Sequence, residues 1–316
     1  MSDKKIIAIT GATGTQGGGL VRAILNDPNS AFTVRAITRD PKSDKSKALA
    51  SMGAHVVRAD LDDIESLKKA FKGAYGVFCI TNFWEHFSPE KETSQAKNMA
   101  EAAKAEGVKH VIWSSLDDTR KLISADDDRM PTLMGNYKVP HFDAKGEADK
   151  YFLNDGPPST VLYTAFYWDN MIYFGLGPKR GQDGKLAISF PMGDKKLPAI
   201  AAEDIGKAAY GIFKAGDQYI GKTIGISGEH LTGKEMAEGL SKVLDEEVVF
   251  YDVPAEEYRN WGFPGAEDMG NMFQFKRDFN EYYTNSRNIE LTKELNPDLM
   301  DFNKWLEKYG SKIPIE

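Results

Sequence analysis

The sequence predicts an α/β protein. A doubly wound parallel sheet occupies residues 1–165, and a smaller C-terminal α/β lobe occupies 166–316, with some of its segments returning to the sheet. Three observations predict this. Short β-branched runs alternate six times with longer amphipathic segments before residue 165. The connections between them are short, the mark of parallel strands crossed by helices. A glycine-rich turn follows the first run directly.

Taken in order, Ile6–Thr10 reads as a buried strand, and Gly17–Leu25 as a helix with Leu20, Val21, Ile24 and Leu25 on one face. Phe32–Thr38 is a second strand, Ser46–Met52 a short helix, Ala54–Arg58 a third strand and Ile64–Phe71 a helix. Tyr75–Ile80 is a fourth strand, and Glu90–Glu106 a long helix stopped by Gly107. Lys109–Ser114 is a fifth strand, His141–Leu153 a helix and Ser159–Tyr163 a sixth strand. Beyond residue 165, Gly, Pro and aromatic residues cluster between Phe166 and Pro198. A helix at Glu203–Phe213 and a strand at Thr223–Ile226 follow. Thr232 with Glu235 three residues on predicts a capping box for a helix through Leu244. Val248–Val253 is a further strand, and the last sixty residues are helical and rich in Met, Phe and Trp.

Composition narrows the function. With 40 Lys+Arg against 47 Asp+Glu over 316 residues, the net charge is −7, which argues against direct nucleic-acid binding. Cys79, the single cysteine, excludes an internal disulfide and a cysteine zinc site, and its apolar strand makes it a small core residue. The five histidines have no metal-ligand spacing, so no metal is expected. No apolar run is long enough for a membrane span or a signal-peptide core, and the expectation is a cytoplasmic protein.

The turn Gly11-Ala12-Thr13-Gly14-Thr15-Gln16-Gly17 lies between the first strand and the first helix, where a dinucleotide's phosphates sit in a Rossmann-type fold. Gly11 permits the tight turn, Gly14 the approach of the pyrophosphate, and Gly17 the packing of helix on strand. The second strand ends Thr38-Arg39-Asp40, with Arg39 about twenty residues past the turn, where an NAD site carries an acidic residue. A guanidinium there pairs with a 2′-phosphate, which favours NADP(H), while Asp40 leaves NAD(H) open. Asp60 and Leu61 follow the third strand and would flank the adenine; the acidic run there can equally cap the next helix.

The segments GATGTQGG, ITRDP, TNFWE (81–85), HFDAKGEADKYF (141–152) and GFPGAEDMGNMFQF (262–275) together resemble the NmrA-like family, atypical relatives of the short-chain dehydrogenases/reductases. The resemblance runs through most of the chain. It implies NADP(H) as cofactor and, from the family's sensing members, a redox regulator that answers NADPH/NADP+ through protein partners, as a monomer or homodimer. It implies cofactor contacts from Gly11–Gln16, Arg39, Asp60, Leu61, Thr81, Asn82, Phe83, Lys145, Tyr167, Trp168, Asp169 and Asn170. The family's sensor has a lysine near the start of the helix after the fourth strand; here Ser94 stands there, with Lys91 and Lys97 on either side.

The parent superfamily uses a Tyr with a Lys four residues on, and a Ser after the fifth strand. This chain has Lys145, with Ser114 and Ser115 as serines, but His141 at the Tyr position. Two readings stand. In one the protein only binds the cofactor. In the other His141 or Tyr137 supplies a proton and Lys145 serves an NADPH-dependent reductase of a small carbonyl, quinone or enone.

Overall fold

The computed structural model describes residues 4–181 and 183–315. Seven parallel strands form the central sheet: β1 (Lys5–Ile9), β2 (Phe32–Thr38), β3 (His55–Arg58), β4 (Gly76–Cys79), β5 (His110–Ser115), β6 (Ser159–Tyr163) and, much later in the chain, β11 (Thr223–Gly225). Their order is β3-β2-β1-β4-β5-β6-β11. The strand order reverses between β1 and β4, which opens a crevice at their carboxyl ends, the general ligand position in such sheets.

Helices cover both faces. On one, α1 (Thr15–Asn26) packs on α7 (Ala202–Lys214) through Leu20, Ile24, Ile205 and Ala209. On the other lie α3 (Ile64–Phe71), α4 (Pro89–Ala105) and α5 (Pro140–Leu153), meeting over Ala96, Met99, Ala103 and Phe152. The short α2 (Asp44–Ser51) runs from β2 toward β3. Side-chain caps set several starts: Ser43 for α2, Asp63 for α3 and Ser88 for α4. Asp63 thus settles one use of the acidic run after β3. The first helix begins at Thr15, two residues before the glycine where apolar spacing starts it, because the backbone turns helical straight after the extended Gly14.

The region after residue 165, expected to be irregular, holds two small sheets. β7 (Phe166–Tyr167), β10 (Leu197–Ile200) and β12 (Glu229–Leu231) make one in the order β12-β10-β7; β8 (Lys179–Arg180), β9 (Leu186–Ser189) and β13 (Val248–Tyr251) make the other in the order β13-β9-β8. Strands as short as two residues leave no periodicity to read. The helices here are α6 (Asn170–Tyr173), α8 (Gly233–Leu244), α9 (Ala255–Arg259), α10 (Ala266–Asp278), α11 (Asn280–Asn285), α12 (Ile289–Leu295) and α13 (Phe302–Tyr309). The capping box of Thr232 and Glu235 starts α8 as its spacing requires. A separate apolar core joins these pieces around Trp168, Met236, Phe273, Phe302 and Trp305. Among the described residues no helix is long and apolar enough to cross a membrane, and no group of three or more His, Cys, Asp or Glu could hold a metal. Cys79 is fully buried, and desolvation pushes its thiol far up, so it is an inert core residue.

Candidate functional site

A cleft of about 790 Å³ opens at the carboxyl ends of β1, β2, β4 and β5 and continues toward α10. It is built from the glycine turn outward. Gly11 sits at φ +59, in the left-handed region that glycine adopts at least cost. A Cβ on Gly17 would lie 2.4 Å from the Gly11 carbonyl oxygen, so helix and turn could not approach as they do. The start of α1 has no side-chain cap and no acidic residue in its first turn, unlike α2, α3 and α4. Its free amides and positive helix end therefore face a cleft prepared for an anion.

Gly11, Thr13, Gly14, Thr15 and Gln16 line this cleft, while Ala12 is buried beneath the turn. Gln16 locks the turn to the sheet. Its Nε2 donates to the Tyr167 hydroxyl, and its Oε1 accepts from Ser114 Oγ at 2.8 Å. Tyr167 further meets Thr164 Oγ1 at 3.2 Å. Ser115 instead donates to Asp149 at 2.6 Å.

Arg39, Asp40, Lys45, Asp60 and Leu61 wall one end. Arg39 is exposed and pairs across the cleft with Glu85.

Midway, Thr81, Glu92 and Lys145 form a buried triad. Lys145 Nζ lies 2.6 Å from Thr81 Oγ1 and 2.9 Å from Glu92 Oε1, and Thr81 donates to Glu92 at 2.5 Å. His86 Nε2 stands 3.3 Å from the other Glu92 oxygen. Burial works against a charged Glu92, but Lys145, His86 and Thr81 outweigh it and hold the carboxyl at about 2. Glu92 therefore neutralises the lysine, a partner that nothing in the spacing of α4 announces. Lys91 and Lys97 turn outward to Asp62 (3.0 Å) and Glu101 (3.7 Å), and neither lines the cleft.

Asn82 and Phe83 line the next stretch, and His141 stands beside them. Its Nδ1 is 2.7 Å from Asp268 Oδ1, and its backbone N–H donates to Asp268 Oδ2 at 3.1 Å. Trp84 packs on the imidazole with ring centres 4.7 Å apart. Tyr137 does not join this group. It lies outside the cleft wall, under the guanidinium of Arg120 at 4.9 Å.

Of the four residues 167–170, Tyr167 and Asn170 reach the cleft. Trp168 turns into the second core against Phe302 and Trp305, where its apolar area is fully buried. Asp169 accepts from the Ala202 N–H at 2.8 Å, at the start of α7. The far end of the cleft is apolar: Phe142, Phe166, Phe174, Phe263, Met269 and Met272 line it, together with Lys276. Asp268 and Lys276 lie in the Met- and Phe-rich tail, where charged residues read as solvated helix face; only their burial marks them.

Known proteins match along the whole chain. The NmrA-like family model covers residues 3–306. The oxidoreductase FrzB of Cladobotryum sp., described as containing an NmrA-like family domain, is 31% identical over 291 residues, covering 85% of this chain and 83% of its own. Among solved structures, the negative transcriptional regulator NmrA in complex with NAD superposes with TM-score 0.79 at 23% identity, covering 99% of both chains. The triphenylmethane reductase of Citrobacter sp., complexed with NADP(H), superposes with TM-score 0.73 at 24% identity, covering 96% of this chain and 99% of that one. With this match on both sequence and fold, the chain belongs to the NmrA-like family.

Proposed function

We propose that this protein is an NADP(H)-dependent reductase of a small, flat, largely apolar acceptor. The observation that carries the reading is the continuity of one cleft: it runs from an uncapped helix start, past Lys145 and His141, into a chamber lined by aromatic and methionine side chains. The residues fit a dinucleotide. The close Gly11–Gly17 approach is one that a Cβ would block, and the amides of α1 lack internal acceptors. Arg39 and Lys45 are the cations that would receive a 2′-phosphate, Arg39 exchanging Glu85 for it. The oxidoreductase naming of FrzB and the NADP(H) bound by the triphenylmethane reductase support the same reading.

The reduced nicotinamide, when bound, supplies a hydride. Lys145 and Thr81 would present an ammonium and a hydroxyl to the ribose, with Glu92 balancing the lysine's charge. Asp268 holds the His141 ring through Nδ1, and in the imidazolium form the Nε2–H would give its proton to the acceptor oxygen. Phe83, Trp84, Phe142 and Phe166 keep water from that proton transfer.

The test is calorimetric titration with NADPH and NADH, followed by turnover on a panel of quinones, enones and carbonyls. NADPH binding with acceptor-dependent oxidation supports the reading. Binding without turnover on the whole panel sinks the enzyme.

A second reading, redox sensing through a protein partner, draws on Phe174. This side chain is cleft wall and also 62% exposed, so an occupied cleft would alter an apolar patch on the surface. It requires NADPH and NADP+ to give different protease patterns around residues 173–176; identical patterns would remove it.

A further inference from the structure

Lys276 is a buried amine on the cleft wall with no carboxylate partner among the described residues. Its side chain is 1% exposed, and it stands on the wall of the apolar chamber with Phe142, Phe166 and Met272. Its hydrogen bond goes to the Met272 thioether at 3.2 Å, a weak acceptor. Four aromatic rings surround the ammonium: Phe142 and Tyr283 at 5.3 Å, Phe166 at 5.5 Å and Phe273 at 5.8 Å. Among the described residues, no carboxylate lies within ion-pairing distance of it.

The nearest acidic group is already committed. Asp117 holds the equally buried Arg287 through two bonds of 2.6 and 3.1 Å, and accepts a third from the Tyr282 hydroxyl at 2.9 Å. Asp117 is thus taken up by Arg287, which leaves the neighbouring Lys276 amine without a carboxylate partner. Burial, with Arg287 adding repulsion and Asp117 only partly offsetting it, lowers the lysine well below its ordinary range. An aromatic cage relieves part of that cost but supplies no oxygen for the three N–H groups.

We propose that the missing counterion is a carboxylate of the ligand: Lys276 is the docking point that selects flat, apolar carboxylic acids, in their anionic form, as occupants of the chamber. This deepens the reductase reading by naming its substrate class. The ring system would fill the space between Phe142, Phe166 and Met272, and the carboxylate would accept from the Lys276 ammonium. The pair forms in an apolar wall, where a charge-assisted hydrogen bond is strong and an unpaired charge costly.

The experiment is calorimetry on the full chain with benzoate, cinnamate and 2-naphthoate, each beside its neutral amide, with and without saturating NADP+. Wild type, Lys276→Met and Lys276→Gln are compared. The expected result is that at least one carboxylate binds about tenfold or more tighter than its amide to wild type, and that both variants lose this preference. Thermal melting should place Lys276→Met at or above wild type, because it replaces a buried amine that lacks an oxygen partner with an apolar side chain of similar length. Equal binding of acid and amide by wild type, a preference that survives in both variants, or no binding of any carboxylate overturns the proposal. NADPH titration of the same samples separates the two readings. Lost carboxylate selectivity with intact NADPH binding ends the substrate assignment alone, and absent NADPH binding ends the cofactor reading while leaving a carboxylate preference standing.

Discussion

His141 Nδ1 and Asp268 Oδ1 stand 2.7 Å apart although 127 residues separate them in the chain. The contact joins the helix that carries the cleft lysine to the start of α10 in the C-terminal region. The same carboxylate also receives the His141 backbone N–H, so both ring and main chain are held. Asp268→Asn keeps the shape but removes the charge and permits the wrong imidazole tautomer. Turnover on an acceptor should fall about 10²-fold while NADPH affinity holds within about twofold. Steady-state kinetics with a parallel titration checks this, and equal losses in both would give Asp268 a structural role only.

Lys145 and Glu92 are a buried pair, so removing one partner should cost more than removing both. Lys145→Met leaves the buried Glu92 with only Thr81 and His86 as partners, at a cost of about 3 kcal/mol in denaturant unfolding. The double variant Lys145→Met/Glu92→Gln should recover most of it. Because the folded Glu92 carboxyl lies at about 2, below its unfolded value, its stabilisation is complete above the unfolded value and fades as pH falls toward the folded one. Acid titration of stability in Glu92→Gln should lack that component.

Asp149 runs the other way. Its carboxylate accepts from Trp113 Nε1 (3.0 Å), Ser115 (2.6 Å) and Tyr163 (2.8 Å), yet burial outweighs these bonds and raises it to about 6. A carboxyl raised by folding stabilises most below its unfolded value, and that advantage is lost as pH rises through about 6. A shift of this size corresponds to about 3 kcal/mol. The stability of wild type relative to Asp149→Asn, measured from about pH 4 to pH 7, should fall by about that amount as pH rises.

Gly17→Ala places a methyl group 2.4 Å from the Gly11 carbonyl oxygen. The turn must shift, with a loss of about 1 to 3 kcal/mol in stability. Dinucleotide affinity should fall further than that strain alone predicts, since the same amides face the phosphates. Wild-type affinity in a folded Gly17→Ala protein would falsify the placement of a phosphate cradle at this turn.

Arg39→Glu tests which dinucleotide the cleft prefers. It should weaken NADPH by about 10²-fold and NADH by less than about threefold, from loss of a charge-assisted pair. Glu85→Gln, which frees Arg39 from its present partner, should strengthen NADPH modestly. Matched losses for the two nucleotides in Arg39→Glu would rule out Arg39 as the 2′-phosphate ligand.

Residues 5–163 were legible in the sequence because their signals are local. Each strand is a short run rich in apolar or β-branched residues, and the glycine turn closely follows β1. Gln16 is placed by the glycine-turn motif, and Ser114 and Lys145 by the resemblance to the family and its parent superfamily. Neither signal places Glu92, Asp268 or Lys276. Glu92 lies among Glu, Lys and Gln neighbours that read as solvated helix, and its 0% exposure arises only where α4 meets α5 and the β4 loop. The alternation of contacts in residues 167–170 was equally hidden, because it depends on Trp168 finding Phe302 and Trp305 more than a hundred residues later.

The seventh strand has a consequence for synthesis. β11 pairs with β6, but the chain between them first builds β7 to β10 and α7. A nascent chain that has reached only β6 has a six-stranded sheet whose last strand offers an unpaired edge, a template for pairing with other chains. The same chain lacks α10, and so both Asp268 and Lys276. Closing the sheet edge at β11 and finishing the cleft at α10 both wait for the later part of the chain, and until β11 is made the edge of β6 is open to wrong pairing.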